Sequence, residues 1–169
     1  TTRLWPRLGQ PAPAELEKEI QRLAGVIDVA TGNPYPGKKL FLDRCAGCHR
    51  LFNRGGEIGP DLTTYQRTDV ANLLLNIVNP GAEIREGYQG MLAETRDGRV
   101  LNGFITEQDV NRVVLRTLDG QTVPIDSKEL ANLEPSPSSL MPEGLLSELS
   151  DQQVRDLFAY LRSTQPLND

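Results

Sequence analysis

Residues 45–49 read Cys-Ala-Gly-Cys-His, and this pentapeptide holds both cysteines and the single histidine of the 169-residue chain. No other feature limits the fold as strongly, because three ligand or nucleophile side chains must be held together on a few residues of backbone. Three chemistries use such a grouping: a zinc site, a dithiol–disulfide redox centre, and covalent attachment of haem. Structural zinc takes four protein ligands, commonly as two Cys or Cys–His pairs, and no second pair exists here. Zinc would have to complete its shell with carboxylates. A redox Cys-X-X-Cys opens a helix after a strand. The preceding GKKLFLDR reads instead as helix leading into the motif, with Leu40 and Phe41 on one face. Two core cysteines beside an unrelated histidine would satisfy the preference of free thiols for burial, but all three spacings would then be accidental.

Haem attachment uses every member of the motif. Two thiols three residues apart lie on one side of a helical turn, so both sulfurs can bond the two vinyl groups of one porphyrin. His49 follows directly and offers its ring to the iron from the same side. The other axial position then decides what the centre does. An open position permits gas binding or peroxidase chemistry, whereas a sulfur ligand closes the iron and favours electron transfer.

The chain has two methionines, Met91 and Met141. Met91 lies in YQGMLAETRDGRVLNGFIT, where Asp97-Gly98 is a two-residue hairpin signal. Counting outward pairs Thr95 with Val100, Ala93 with Asn102 and Met91 with Phe104, a thioether facing an aromatic ring as in packed cores. Met141 lies in SPSSLMPEGLLSELS, where Pro142 disfavours helix at Met141 itself. A stiff, extended loop of this kind can hold a flexible thioether against a metal; as a packing residue it would cap the core instead.

The net charge of −5 leaves no broad basic surface to neutralise phosphates, which argues against a nucleic-acid partner. No apolar run approaches the roughly 20 residues of a membrane-spanning helix, and no charged-then-apolar leader opens the chain. The start at Thr1 rather than Met suggests a processed or excised piece, which leaves room for a lost export signal. Residues 1–13 read as a proline-bearing arm. In PAELEKEIQRLAGVI, Leu16, Ile20, Leu23 and Ile27 recur at helical spacing; that stripe packs either on this domain or as the end of a preceding one. TDVANLLLNIVNP predicts a helix from Thr68 to before Pro80, with Val70, Leu73, Leu74, Ile77 and Val78 inward. Ser150 and Gln153 carry a capping-box signature ahead of Val154, Leu157, Phe158 and Leu161.

Two Asp-Gly turns, at 97–98 and 119–120, separate β-rich runs. Strands are predicted near 88–95, 99–106, 111–117 and 121–126, with a fifth near 130–134. Val114 then pairs with Ile125 on one face, with Val113 and Leu115 on the other. Apolar residues on both faces imply a sheet covered on both sides. It serves either as a scaffold at the edge of the site or as a docking or dimer surface.

GKKLFLDRCAGCH, GPDLT, SLMP and LSDQQVRDLFAYLRS, in this order, closely resemble a class I cytochrome c. The likeness is closest to the haem-binding domain found at the C-terminal end of large planctomycete and verrucomicrobial proteins, which carries a β-rich insertion. The cytochrome portion covers about residues 34–66 and 139–163, within a wider resemblance from about 34 to 163. The resemblance implies an α+β protein: a mainly α core of three or more helices around one haem c, with an inserted antiparallel sheet. Its segments would be an arm and helix (1–33), a first core part (34–83), the insertion (84–134) and a second core part (135–169).

By the same resemblance Cys45 and Cys48 bind the porphyrin, His49 and Met141 ligate iron, and the Pro60 carbonyl accepts the His49 Nδ1 proton. Gly37, Phe41, Leu157 and Tyr160 would lie where the two terminal helices cross. Tyr88, Arg67 and Arg54 are candidate partners of the haem propionates, since arginine suits carboxylates. The implied function is non-enzymatic electron transfer in the periplasm or another exported compartment, with a fused dehydrogenase or a separate redox protein as partner. A ligand sensor or peroxidase-like centre with an open sixth position, and a binding module that haem merely stabilises, are the alternatives.

Overall fold

The computed structural model describes residues 13–168; the arm read at 1–13 lies outside them except for Pro13. Four α-helices and a five-stranded antiparallel sheet make an α+β chain. The helices are α1 (Pro13–Asp28), α2 (Pro34–Arg44), α3 (Val70–Val78) and α4 (Asp151–Leu161). A two-residue ladder joins β1 (Arg50–Leu51) to β2 (Arg54–Gly55), an element that the sequence reading did not include.

Helix α2 starts because Asn33 accepts the Tyr35 N–H at 3.0 Å and Pro34 occupies the first turn, where its missing N–H costs nothing. Helix α4 starts at the predicted capping box: Ser150 Oγ accepts from Gln153 N, and Gln153 Oε1 accepts from Ser150 N at 2.9 Å. The two helices cross at Gly37, where an added Cβ would stand 1.9 Å from the Asp156 carbonyl oxygen. Beside that contact Phe41 and Tyr160 meet with ring centroids 5.5 Å apart. The Asp156 carboxylate is buried and accepts the Asn33 N–H at 2.7 Å, which ties the start of α2 to α4. Leu16 and Leu23 of α1 are buried in this same core with Phe41, Leu74, Val154 and Leu157. The α1 stripe therefore packs on this domain. Helix α3 begins at Val70, two residues later than predicted, because Asp69 is its cap and accepts from Asn72 N.

The sheet contains β3 (Met91–Thr95), β4 (Val100–Gln108), β5 (Arg112–Thr117), β6 (Thr122–Asp126) and β7 (Leu130–Pro135), in spatial order β6-β5-β4-β3-β7. All five predicted strands are present, but the predicted register is off by one. Ala93 pairs with Leu101 and Met91 with Gly103; Val113 pairs with Ile125 and Val114 with Pro124. Each Asp-Gly sits in a three-residue loop closed by threonine: Thr95 and Arg99 bracket the first, Thr117 and Gln121 the second. Gly98 and Gly120, at φ 89° and 81°, take the left-handed position that follows the tight turn in such loops. A one-residue slip reverses faces. Met91 accordingly points into the cluster of Ala93, Val113, Leu115 and Ile125. Phe104 points the other way, and its ring partner is Tyr88, edge-on at 5.9 Å.

The sheet is also strongly curled. Strands β6 and β7 are opposite edges, yet only Ser127, Lys128 and Glu129 lie between them. The four steps from Asp126 to Leu130 reach at most about 14 Å, whereas four strand spacings of a flat sheet span about 19 Å. Curling brings the inner faces together as a second apolar core, separate from the helical one. The segment enters and leaves at one point, where Ser136 N donates to the Gly90 carbonyl at 2.7 Å. No helix among the described residues is long and apolar enough to cross a membrane.

Candidate haem site

The pentapeptide continues α2 as an irregular turn. Cys45 N and Ala46 N both donate to the Phe41 carbonyl, and His49 N donates to the Cys45 carbonyl at 2.9 Å. Cys45 and Cys48 are both free and half-buried. Burial pushes the Cys45 thiol up to about 11, against a smaller downward pull from Arg44, so this sulfur stays protonated and uncharged at neutral pH.

The loop after β2 wraps the motif through close backbone contacts. Gly56 N donates to the Ala46 carbonyl at 2.7 Å and Gly59 N to the Cys48 carbonyl at 2.8 Å. Glycine is required at both points: an added Cβ would lie 2.6 Å from the Gly47 oxygen at position 56 and 2.6 Å from His49 Cε1 at position 59. The imidazole thus rests against Gly59, and its Nδ1 lies 2.9 Å from the Pro60 carbonyl oxygen. A carbonyl only accepts, so the proton sits on Nδ1 and the Nε2 lone pair is left for a ligand role. Nothing in the described protein bonds to Nε2. The loop is steadied further on, where Asp61 Oδ1 accepts from Thr63 N and Thr63 Oγ1 accepts from Phe52 N at 2.6 Å. Phe52 adopts φ 56°, an unusual value for a residue with a side chain.

Met141 is half-buried on the loop that follows β7. It lines a cavity of about 520 Å³ with Pro80, Asn102, Leu118, Leu140 and Glu143. The structure brings Cys45, Cys48, His49 and Pro60 together; Met141 lines a cavity that none of them lines. Of the candidate propionate partners, Arg67 donates to the Leu161 and Ser163 carbonyls, the latter at 2.7 Å, and its guanidinium lies 5.2 Å from the Phe52 ring centroid. It closes the C-terminal end of α4. Tyr88 packs on Phe104. Three features escaped the sequence reading: the contacts of Gly56 and Gly59, and Arg116, whose buried Nε has no hydrogen-bond partner. The signal for Arg116 was a lone cation within the apolar run VVLRT.

The residues fit covalent haem. Two free thiols and an imidazole with its far nitrogen unbonded form the donor set, and no group of three or more His, Cys, Asp and Glu able to hold a bare metal ion exists among the described residues. Residues 35–115 match the family model for cytochrome c. The match starts in α2 and ends in β5, so it contains Cys45, Cys48, His49 and Pro60, while Met141 and α4 lie beyond it. No curated protein matches the chain. Cytochrome c domains are generally electron carriers that work with redox partners. The matched segment supports a class I cytochrome c, and haem c, covalently attached, is the cofactor that its Cys-X-X-Cys-His spacing serves.

Proposed function

We propose that the chain is a one-haem electron-transfer domain in which Cys45 and Cys48 carry the thioether bonds and His49 and Met141 ligate iron. When bound, haem c supplies a one-electron ferrous–ferric couple. The protein's part is to hold that group still and dry. Pro60 fixes the His49 tautomer and ring plane, Gly59 lets the loop close on the ring, and the apolar wall of α2, α3 and α4 keeps water away. A thioether from Met141 would favour the reduced state and close the iron to substrates. The observation that carries the reading is the Pro60-bound imidazole with a free Nε2, directly after two free thiols.

The finer reading extends to the rest of the chain. It belongs with the planctomycete and verrucomicrobial haem-binding type, divided into an arm and helix (1–33), core parts (34–83 and 135–169) and an insertion (84–134). The covalent chemistry implies maturation in the periplasm or another exported compartment. A fused dehydrogenase or a separate redox protein would reduce the domain. Steady-state haem reduction by such a donor supports this, and haem that stays oxidised through turnover refutes it.

The central test is a single change. In naturally matured protein, mass spectrometry should show a porphyrin adduct on Cys45 and Cys48, and the ferric form should show a weak far-red sulfur-to-iron band. Met141→Ala should abolish that band, lower the midpoint potential and open the ferrous iron to carbon monoxide. A wild-type protein that already lacks the band and binds carbon monoxide rapidly is instead a sensor or peroxidase-like centre.

A further inference from the structure

Two stretches of backbone run side by side past the imidazole at a constant offset of 11 residues. Gly59 N donates to the Cys48 carbonyl at 2.8 Å, His49 Nδ1 to the Pro60 carbonyl at 2.9 Å, and Phe52 N to Thr63 Oγ1 at 2.6 Å. The second bond orients the ring. The third, three residues further on, holds the same two stretches in the same register, and it depends on one hydroxyl.

Phe52 is held in place against its own backbone preference. It heads the turn between β1 and β2, and this hairpin folds back so closely that a Cβ on Gly55 would stand 2.0 Å from the His49 carbonyl oxygen. Phe52 takes φ 56° there, a left-handed value that glycine adopts freely and a bulky residue resists. Such a conformation persists where the surroundings fix the residue. Thr63 takes its N–H, and the Arg67 guanidinium lies 5.2 Å from its ring centroid. Arg67 is fixed in turn by the Leu161 and Ser163 carbonyls at the end of α4, the latter at 2.7 Å. From the other side Asp61 Oδ1 accepts Thr63 N at 2.8 Å. A series of contacts thus leads from α4 through Arg67, Phe52 and Thr63 to the loop whose carbonyl meets His49.

We infer that Thr63 is a positioning residue for the His49–Pro60 hydrogen bond, braced by the contact of Arg67 with Phe52, and that it thereby tunes the redox potential of the attached haem. The inference rests on the haem c reading above, but not on the identity of the second iron ligand. A bond from Nδ1 makes the imidazole a more basic ligand, which favours ferric iron. Without the Thr63 acceptor the two stretches can shift, the Pro60 carbonyl recedes and the ring becomes a poorer donor.

The test uses the matured holoprotein. Thr63→Val keeps the shape of the side chain and removes the acceptor. It should raise the midpoint potential, and the His49 Nδ1 proton should exchange with solvent roughly tenfold faster, the loss of about one hydrogen bond. Thr63→Ser should restore both. Arg67→Lys, which keeps the charge but not the planar fork, should move both in the direction of Thr63→Val by a smaller amount. Ser150→Ala is the control, since it weakens α4 at its far end and should leave the potential alone. If Thr63→Val carries the porphyrin adduct and matches wild type in potential and exchange, the inference fails while the haem reading stands. If Ser150→Ala raises the potential as much as Thr63→Val, lost stability is the cause and the inference also fails. Absence of the adduct in wild type removes the haem reading, and the inference with it. Should Thr63→Val not fold, wild-type exchange under mild denaturant decides. Opening of the Phe52 amide together with the Nδ1 proton supports the inference, and a Phe52 amide that opens while the Nδ1 proton stays protected overturns it.

Discussion

A few residues in this chain are chosen for what cannot be placed beside them. Gly37 meets a backbone carbonyl of α4 so closely that a methyl group would force the helices apart. Overpacking of this kind costs about 1–3 kcal/mol and more against rigid backbone. Gly37→Ala should therefore lose about 3 kcal/mol in urea unfolding. Gly59 is under a different constraint, since its hydrogen faces the His49 ring. Gly59→Ala should displace the imidazole, weaken the bond to Pro60 and shift the spectrum of the holoprotein more than its stability. Cys45 yields a pH prediction for the chain before haem is attached. Its thiol is held neutral to about 11, whereas an unfolded thiol ionises near 8.5. The contribution is complete below the unfolded value and fades as pH rises from there through the folded one. Apo stability should fall over that alkaline window, and alkylation of Cys45 should stay slow until its upper end. The pentapeptide was legible because residue types and spacing specify it, and Pro60 because the GPDLT stretch resembles the corresponding cytochrome c loop. The orphaned nitrogen of Arg116 was not, because satisfaction of a polar atom depends on neighbours distant in sequence.

Among the elements, helices were read well and turns less well. The α4 capping box and the helical stripes follow from short-range patterns, the crossing at Gly37 was implied by the family resemblance, and Ser150→Ala should cost about 1 kcal/mol for the lost cap. The hairpins show where local reading stops. Asp-Gly alone reads as a two-residue loop, but in both copies the threonine two residues before the aspartate closes a longer one. Thr95 Oγ1 donates to Asp97 and Thr117 Oγ1 to Asp119, and the same bonds hold both carboxyls below the usual carboxylate range. The glycine then becomes a bulge and every downstream pair moves by one. The T-x-D-G pattern was present in the sequence; its register consequence was missed. Gly98→Ala and Gly120→Ala should each cost about 1–2 kcal/mol, because alanine resists positive φ, and thermal unfolding would measure it.

The molecule as a whole is built around two apolar cores, one among the helices and one inside the curled sheet. Composition and periodicity located both sets of strands and helices. They did not reveal the curl, which follows from a three-residue link between opposite edges and thus from pairing distant in sequence. Separate cores predict separate opening. Native-state hydrogen exchange under mild denaturant should resolve two groups of amides, one in α2 and α4 and one in β3–β5. Haem attachment should protect the helical group most, because a bound group stabilises whatever must be folded to hold it.

Gly90 and Ser136 join across the base of the sheet, and the first and last strands pair along their length from Met91 with Pro135 onward. A segment closed at its base in this way can be cut out and replaced by a short flexible bridge without stretching the chain on either side. Such a miniaturised protein would retain the pentapeptide, the Gly-Pro loop, the methionine loop and α4. Transplanting the excised cassette into a plain single-haem carrier would then reveal how much of the redox tuning travels with the strands.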